Sequence, residues 1–158
     1  DRREYLLREA LDKLSDRYDY ILIDCPPSLE LLTLNGLCTA DSVLIPVQCE
    51  YYALEGLSDL LSTVRIVKKK LNPSITIEGV LLTMYDGRNN AAKTIRNVAI
   101  GTFGEEMVFR TTIPRNTTLN KAVMSNLAVC DYDDGCSSCR SYRELAQEME
   151  ARLDPKNA

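Results

Sequence analysis

The sequence predicts an α/β fold: a doubly wound, mostly parallel sheet with helices on both faces. Three observations predict it. Segments of helical period alternate with short apolar segments along the whole chain. The apolar segments (ILID, SVLIPV, ITIEGVLLT) are nearly continuous runs, not in–out alternations, as expected of strands covered on both faces. No repeat, low-complexity tract or linker divides the 158 residues, so they read as a single domain over 1–158.

Each element has its own signal. Residues 2–17 predict a helix, with Leu7, Leu11 and Leu14 on one face. Residues 19–24 predict a strand that Pro26 and Pro27 stop, and a helix follows over 28–40. Residues 42–47 predict a second strand, and 48–52 a loop. A long helix is predicted over 53–71, with Leu54, Leu57, Leu61, Val64, Val67 and Leu71 on one face, ending before Pro73. A strand over 75–83, a helix over 89–103 and a strand over 107–113 come next. A short helix over 117–125 precedes the last helix, 138–153, whose inward residues are expected to be Tyr142, Leu145, Ala146, Met149 and Leu153. Its polar face would carry Glu144, Glu148 and Glu150 beside Arg143 and Arg152, an ordinary docked helix and not a membrane-targeting one.

Composition excludes several functions. At 45% hydrophobic and 27% charged, the chain has enough apolar side chain to fold. No apolar run approaches the roughly 18 residues of a membrane span. With no histidine, imidazole acid–base catalysis and histidine-ligated zinc are excluded. No secretion leader is visible, and the first residue is Asp rather than Met, so a piece of a longer protein is expected. Six cysteines are too few for a disulfide scaffold, and a reducing cytosol is expected.

Charge is uneven. Residues 1–64 hold five Lys/Arg and twelve Asp/Glu, residues 65–121 ten against four, and residues 122–158 four against seven. The basic middle could face a polyanion, or be no more than solvated helix faces. Lys68, Lys69 and Lys70 close the long helix, and cations near a helix C-terminus need no ligand to explain them. Arg88, Lys93, Arg96 and Lys121 have no such explanation and are the candidate contacts to a polyanion's phosphates.

In a parallel sheet, ligands bind beyond the carboxyl ends of the strands. There stand Asp24 to Pro27, Pro46 to Tyr52, Thr83 to Asp86, and Ile113 to Asn116. An Asp ending an aliphatic strand can hold Mg²⁺, directly or through water, beside a nucleotide's phosphates, or it can simply cap the next helix.

The segments YDYILIDCPPSLELLTLNGLCTADSVLIPVQCEYYALEGL, GVLLTMYDGRNN and IPRN, in this order, resemble the ParA/Soj partition ATPases, of the deviant-Walker P-loop group that includes MinD. The resemblance runs from about residue 17 to 153 and covers the C-terminal portion of that family. The chain has no Gly-Lys pair and no G-x-x-x-x-G-K-[ST], so the implied fold is P-loop NTPase-like without its N-terminal units. The resemblance implies that Asp24 is the Walker B Asp, catalytic and Mg²⁺-positioning through water, with Pro26, Pro27 and Ser28 continuing its switch. Gln48, Glu50, Ala53, Leu54, Gly56 and Leu57 match the segment shaping the dimer face and nucleotide pocket. Thr83, Met84, Tyr85 and Asp86, with Pro114, Arg115 and Asn116, match the adenine side. Where the family has Arg and then a Glu-Ala-Pro-Ser-like run, this chain has Thr118 and Lys121-Ala122-Val123-Met124.

The implied function is an ATPase of chromosome or plasmid partitioning. It would use ATP and Mg²⁺, dimerise with ATP, bind DNA nonspecifically and answer to a ParB-like partner. The resemblance implies that the polyanion facing Arg88, Lys93, Arg96 and Lys121 is DNA. It would be cytoplasmic and nucleoid-associated, without membrane binding. The stretch alone is expected to be inactive. The alternatives are a nucleotide-free remnant or interaction module, or a MinD- or Mrp-like (iron–sulfur carrier) relative. Cys130, Cys136 and Cys139 invite a metal or redox reading, but no zinc or iron–sulfur cluster is expected and inert thiols are favoured. Cys25, Cys38 and Cys49 are expected to be buried packing.

Overall fold

The computed structural model describes residues 2–26, 28, 30–50 and 53–153. Pro27, Tyr51 and Tyr52, and the side chains of Ala53 and Leu54, lie outside the described residues. The chain forms two compact units, Asp1–Val43 with Glu55–Ile77, and Leu44–Leu54 with Glu78–Ala158.

The first unit opens with helix α1 (Leu6–Leu11), flanked by 3₁₀ turns at Arg3–Tyr5 and Ser15–Arg17. The expected continuous helix over 2–17 is thus broken. Asn35 is the reason for the first break, before α1. Its Oδ1 accepts from Leu7 N (3.2 Å) and its Nδ2 donates to Arg3 O (2.9 Å). These are the two groups that an unbroken helix would join to each other.

Helix α2 (Leu31–Thr39) and helix α3 (Ala53–Lys70) follow as expected. Leu37, Cys38, Val64, Val67 and Ile75 make this unit's core, with Tyr5, Leu60 and Leu71 at its margin. The orphan carbonyls at the end of α2 are satisfied by buried Asn72, whose Nδ2 donates to Leu37 O (3.0 Å) and Ala40 O (2.8 Å).

The expected strand over 19–24 is not formed. Residues 18–26 make no backbone ladder bond among the described residues, and Leu22 is 85% exposed. A strand exists only through its neighbours' hydrogen bonds, and none is offered here.

Strands β1 (Ser42–Gln48) and β2 (Thr76–Thr83) pair with each other. Thr76 N donates to Asp41 O at one end and Cys49 N to Thr83 O at the other, so the pairing is parallel.

In the second unit, helix α4 (Asn90–Phe103) is capped by Asn89, whose side chain accepts from Ala91 N at 2.9 Å. Helices α5 (Thr117–Met124), α6 (Val129–Tyr132) and α7 (Ser137–Leu153) complete it; α6 was not expected. The core is Leu81, Phe109, Ile113 and Leu145, joined by Leu44, Leu119 and Met149. A close approach fixes Gly79, where a Cβ would lie 2.7 Å from Met107 O and 2.7 Å from the Phe109 ring.

The expected strand over 107–113 becomes an interrupted edge. Val108 pairs in parallel with Val80, and Phe109 N and Ile113 N reach Val80 O and Leu82 O at 2.9 Å. Between them, Arg110 N and Thr111 N donate to the carboxylate of Glu148, each at 2.9 Å. A side chain thus takes the place of a ladder partner. Glu148 and Arg152 therefore face inward, correcting the expected polar face, and the Arg152 guanidinium lies 3.9 Å from the centre of the Phe109 ring. Of the inward residues expected on α7, Leu145 is buried and Met149 half-buried, whereas Tyr142, Ala146 and Leu153 are exposed. Among the described residues no helix is long and apolar enough to cross a membrane.

Candidate functional site

The candidate residues fall in both units. Asp24 and Pro26 are in the first. Both are exposed, and the Asp24 carboxylate makes no hydrogen bond or ion pair among the described residues. It caps no helix: α2 begins after Glu30, without a side-chain cap. A free, exposed carboxylate suits Mg²⁺, which is commonly held by one or two carboxylates, waters and substrate phosphates.

Next to it, Cys25 is exposed, not buried as expected. Its sulfur lies where a Cβ on Gly36 would come within 2.6 Å. Partial burial and then the Asp24 charge push its thiol up from 9.0. Cys38 and Cys49 are buried as expected.

The second unit brings the other candidates together. Tyr85 pairs in parallel with Pro114: Tyr85 N donates to Ile113 O (3.0 Å), and Arg115 N to Tyr85 O (3.4 Å). Thr83–Asp86 and Pro114–Asn116 thus form one two-loop ledge. Met84 occupies the left-handed region at φ 52°. That is a costly conformation for a non-glycine residue and is characteristic of ligand-handling positions.

The ledge's charged and amide side chains are already engaged. Asn116 Oδ1 accepts from Thr118 N (2.8 Å), capping α5, while its Nδ2 donates to Ser137 Oγ (2.9 Å). Arg115 is ion-paired with Glu50. Asp86 takes Nε and Nη2 of Arg88, each at 3.1 Å, and that hydrogen bonding holds its carboxyl below 3.8. Groups of the ledge without a partner among the described residues include the Met84 amide, the Pro114 carbonyl and the Thr83 and Tyr85 hydroxyls. Sequence reasoning missed Glu50 as the partner of Arg115 and Ser137 as that of Asn116. Both pairings depend on tertiary placement and leave no local pattern.

The basic candidates differ from one another. Arg88 is exposed but paired with Asp86. Lys93 is exposed on α4, Arg96 is half-buried with a buried Nε that has no partner, and Lys121 is exposed on α5.

The cysteines near α7 also differ from expectation. Cys130 and Cys139 are joined as a disulfide, with Cα atoms 4.9 Å apart, and Cys136 is free. The expectation of six unpaired thiols is corrected. A C-x-x-C motif draws the eye to its own two members, and α6 places Cys130 against the second of them.

A family model described as an AAA domain matches residues 1–77. The chromosome partitioning protein ParA of Myxococcus xanthus is 50% identical over 157 residues, 99% of this chain and 55% of the relative. The chain belongs to the ParA/Soj family. The sporulation initiation inhibitor protein Soj of Bacillus subtilis is 49% identical over 149 residues, 94% of this chain and 58% of the relative. The chain thus spans little more than half the length of these ParA/Soj proteins and corresponds to their C-terminal part.

A solved structure titled cobyrinic acid a,c-diamide synthase from Mycobacterium smegmatis, with bound ATP analogue and magnesium, has a TM-score of 0.79 and 35% identity. The match covers 97% of this chain and 56% of that one. That protein carries a different name, but this chain shares more of its residues with the ParA proteins, 50% against 35%. The expected fold class, α/β with parallel pairing and P-loop NTPase-like relatives, holds.

Proposed function

We propose that this chain is the C-terminal portion of a ParA/Soj-type ATPase acting in chromosome or plasmid partitioning. The observation that carries the reading is 50% identity to a partitioning protein across nearly the whole chain. The unpaired Asp24 carboxylate and the ledge formed by 83–86 and 114–116 support it.

In this reading Asp24 would help hold Mg²⁺ and orient the attacking water, and Pro26 belongs to the same switch. ATP and Mg²⁺ supply the phosphoryl chemistry; this stretch supplies the carboxylate and an adenine-side surface. Thr83, Met84, Asp86, Pro114, Arg115 and Asn116 form that surface. Because the side chains of Asp86, Arg115 and Asn116 are engaged with protein, the base meets the Pro114 face and main-chain groups of Met84 and Pro114. Asn116, through its cap on α5, holds the 114–116 loop in place.

The exposed Ile21 and Leu22 are covered by strands from the part of the protein that this chain does not span. The full-length protein dimerises with ATP, binds DNA nonspecifically through Lys93, Arg96, Lys121 and, once freed from Asp86, Arg88, and meets a ParB-like partner. It works in the cytoplasm on the nucleoid.

Steady-state hydrolysis and nucleotide-binding assays test this. The full-length protein turns over ATP. Asp24→Ala lowers turnover by about 100-fold or more while ATP affinity changes by less than about threefold, because an Asp that organises Mg²⁺ and water acts mainly in the transition state. The 158-residue stretch alone is inactive. Full turnover by the Asp24→Ala protein overturns the assignment.

A further inference from the structure

Three cysteines cluster where α6 gives way to α7. Cys139 is buried within the first turn of α7 and bonded to Cys130 on α6. Cys136, half-buried and unpaired, precedes α7, and its sulfur accepts from Cys139 N at 3.3 Å. Between Cys136 and Cys139 stands Ser137, whose hydroxyl takes the Asn116 amide at 2.9 Å. Asn116 in turn caps α5.

The disulfide therefore staples the turn that holds the 114–116 loop. Helix α6 has four residues, far too few to persist without an anchor.

We propose that Cys130, Cys136 and Cys139 form a thiol–disulfide switch for a small thiol of the glutathione class, and that its state sets the order of loop 114–116 through Ser137 and Asn116. In a reducing compartment a disulfide is characteristically a transient sensing element, not a structural staple. The three sulfurs differ in access. Cys139 is shielded, so an outside thiolate attacks the half-buried Cys130 sulfur; the Cys130–Cys139 bond breaks and Cys139 leaves as thiolate and takes a proton. A second small thiol removes the first from Cys130 as a small disulfide. The net change is one protein disulfide and two small thiols going to two protein thiols and one small disulfide. In the reverse direction, Cys136 serves as the entry thiol. It captures one half of a small disulfide, releasing the other as thiol. Cys139 displaces the captured half to give Cys136–Cys139, and Cys130 then displaces Cys136 to restore the observed bond. The reading does not depend on nucleotide binding.

The test uses full-length protein equilibrated in glutathione buffers from fully reduced to fully oxidised, then alkylated and mapped by mass spectrometry, with amide hydrogen exchange read at 116–118 and 137–139. A reversible Cys130–Cys139 link is expected, with exchange at 116–118 at least about tenfold faster in the reduced protein. Cys136→Ser should form the same link at equilibrium but about tenfold more slowly. If either end of the pair proves necessary for folding, wild-type protein under reducing agent gives the same readout. The proposal is overturned if no buffer links Cys130 to Cys139. It is also overturned if the link forms and exchange at 116–118 is the same in both states, or if Cys136→Ser oxidises at the wild-type rate.

Discussion

The ledge at 83–86 and 114–116 and the segment at 18–26 have the same sequence signature, an apolar run ending in polar and proline residues, yet they fold differently. The ledge is fixed by main-chain pairing at Tyr85, by the Asn116 cap and by Glu148 holding the adjoining edge. Segment 18–26 carries Asp24 on backbone that no neighbouring strand among the described residues holds, with Leu22 in solvent. An apolar run states what a strand can bury; only its neighbours decide whether it becomes one.

Four substitutions sharpen or break that contrast. The largest effect is expected at Gly79 beneath the ledge. Gly79→Ala drives a methyl into Met107 O and the Phe109 ring, costing about 3 kcal/mol by denaturant unfolding. A cost near zero would mean that the edge is not closely packed there.

Glu148→Gln comes next, at about 2 kcal/mol, since one neutral amide cannot accept from both main-chain N–H groups and pair with Arg152. Its pH dependence follows. Burial pushes the Glu148 carboxyl up, but hydrogen bonds from Thr111, Arg110 and Arg152 outweigh burial and hold it below 4.5. Its contribution is therefore complete above 4.5 and is lost as pH falls through the lower folded-state value. Unfolding midpoints measured between neutral and acid pH should fall less steeply in Glu148→Gln than in the parent.

Asn116→Ala removes the α5 cap and should cost about 1 kcal/mol. In the full-length protein it should also weaken ATP binding, which equilibrium titration checks; unchanged affinity would separate the cap from the ledge.

The smallest effect is expected in the other region. Leu22→Ala in this stretch should shift stability by less than about 0.5 kcal/mol, because the side chain is 85% exposed. In the full-length protein the same change should cost about 2 kcal/mol or more, because in the proposed reading neighbouring strands bury the side chain there.

Much of this was legible in sequence, and what was not has physical causes. Helices α2 to α5 and α7 and strands β1 and β2 follow from periodicity, proline stops and apolar runs. The break in the first helix was hidden because Asn35, 28 residues away, inserts into the Leu7–Arg3 hydrogen bond. The edge at 107–113 was over-read as a full strand because Glu148 meets it from 37 residues away. The orientation of α7 was misjudged for the same reason: a half-buried glutamate–arginine pair looks like a solvated one until its partners are known. For the site, the residue types and their order marked the ledge, whereas the engagement of Asn116, Arg115 and Asp86 arises from three dimensions. The Cys130–Cys139 pairing depends on α6, too short a helix to be read from its pattern.

The measurement that bears most directly on this contrast is amide hydrogen exchange of residues 19–26 and of Tyr85 and Arg115, in this 158-residue stretch and in the full-length protein. Tyr85 and Arg115 should be protected in both. Residues 19–26 should exchange at nearly random-coil rates in the stretch and become protected by at least about a hundredfold in the full-length protein, as backbone entering a sheet does. Equal and strong protection of 19–26 in both proteins would contradict the account, because the Asp24 strand would then be complete without neighbours from the rest of the family's chain.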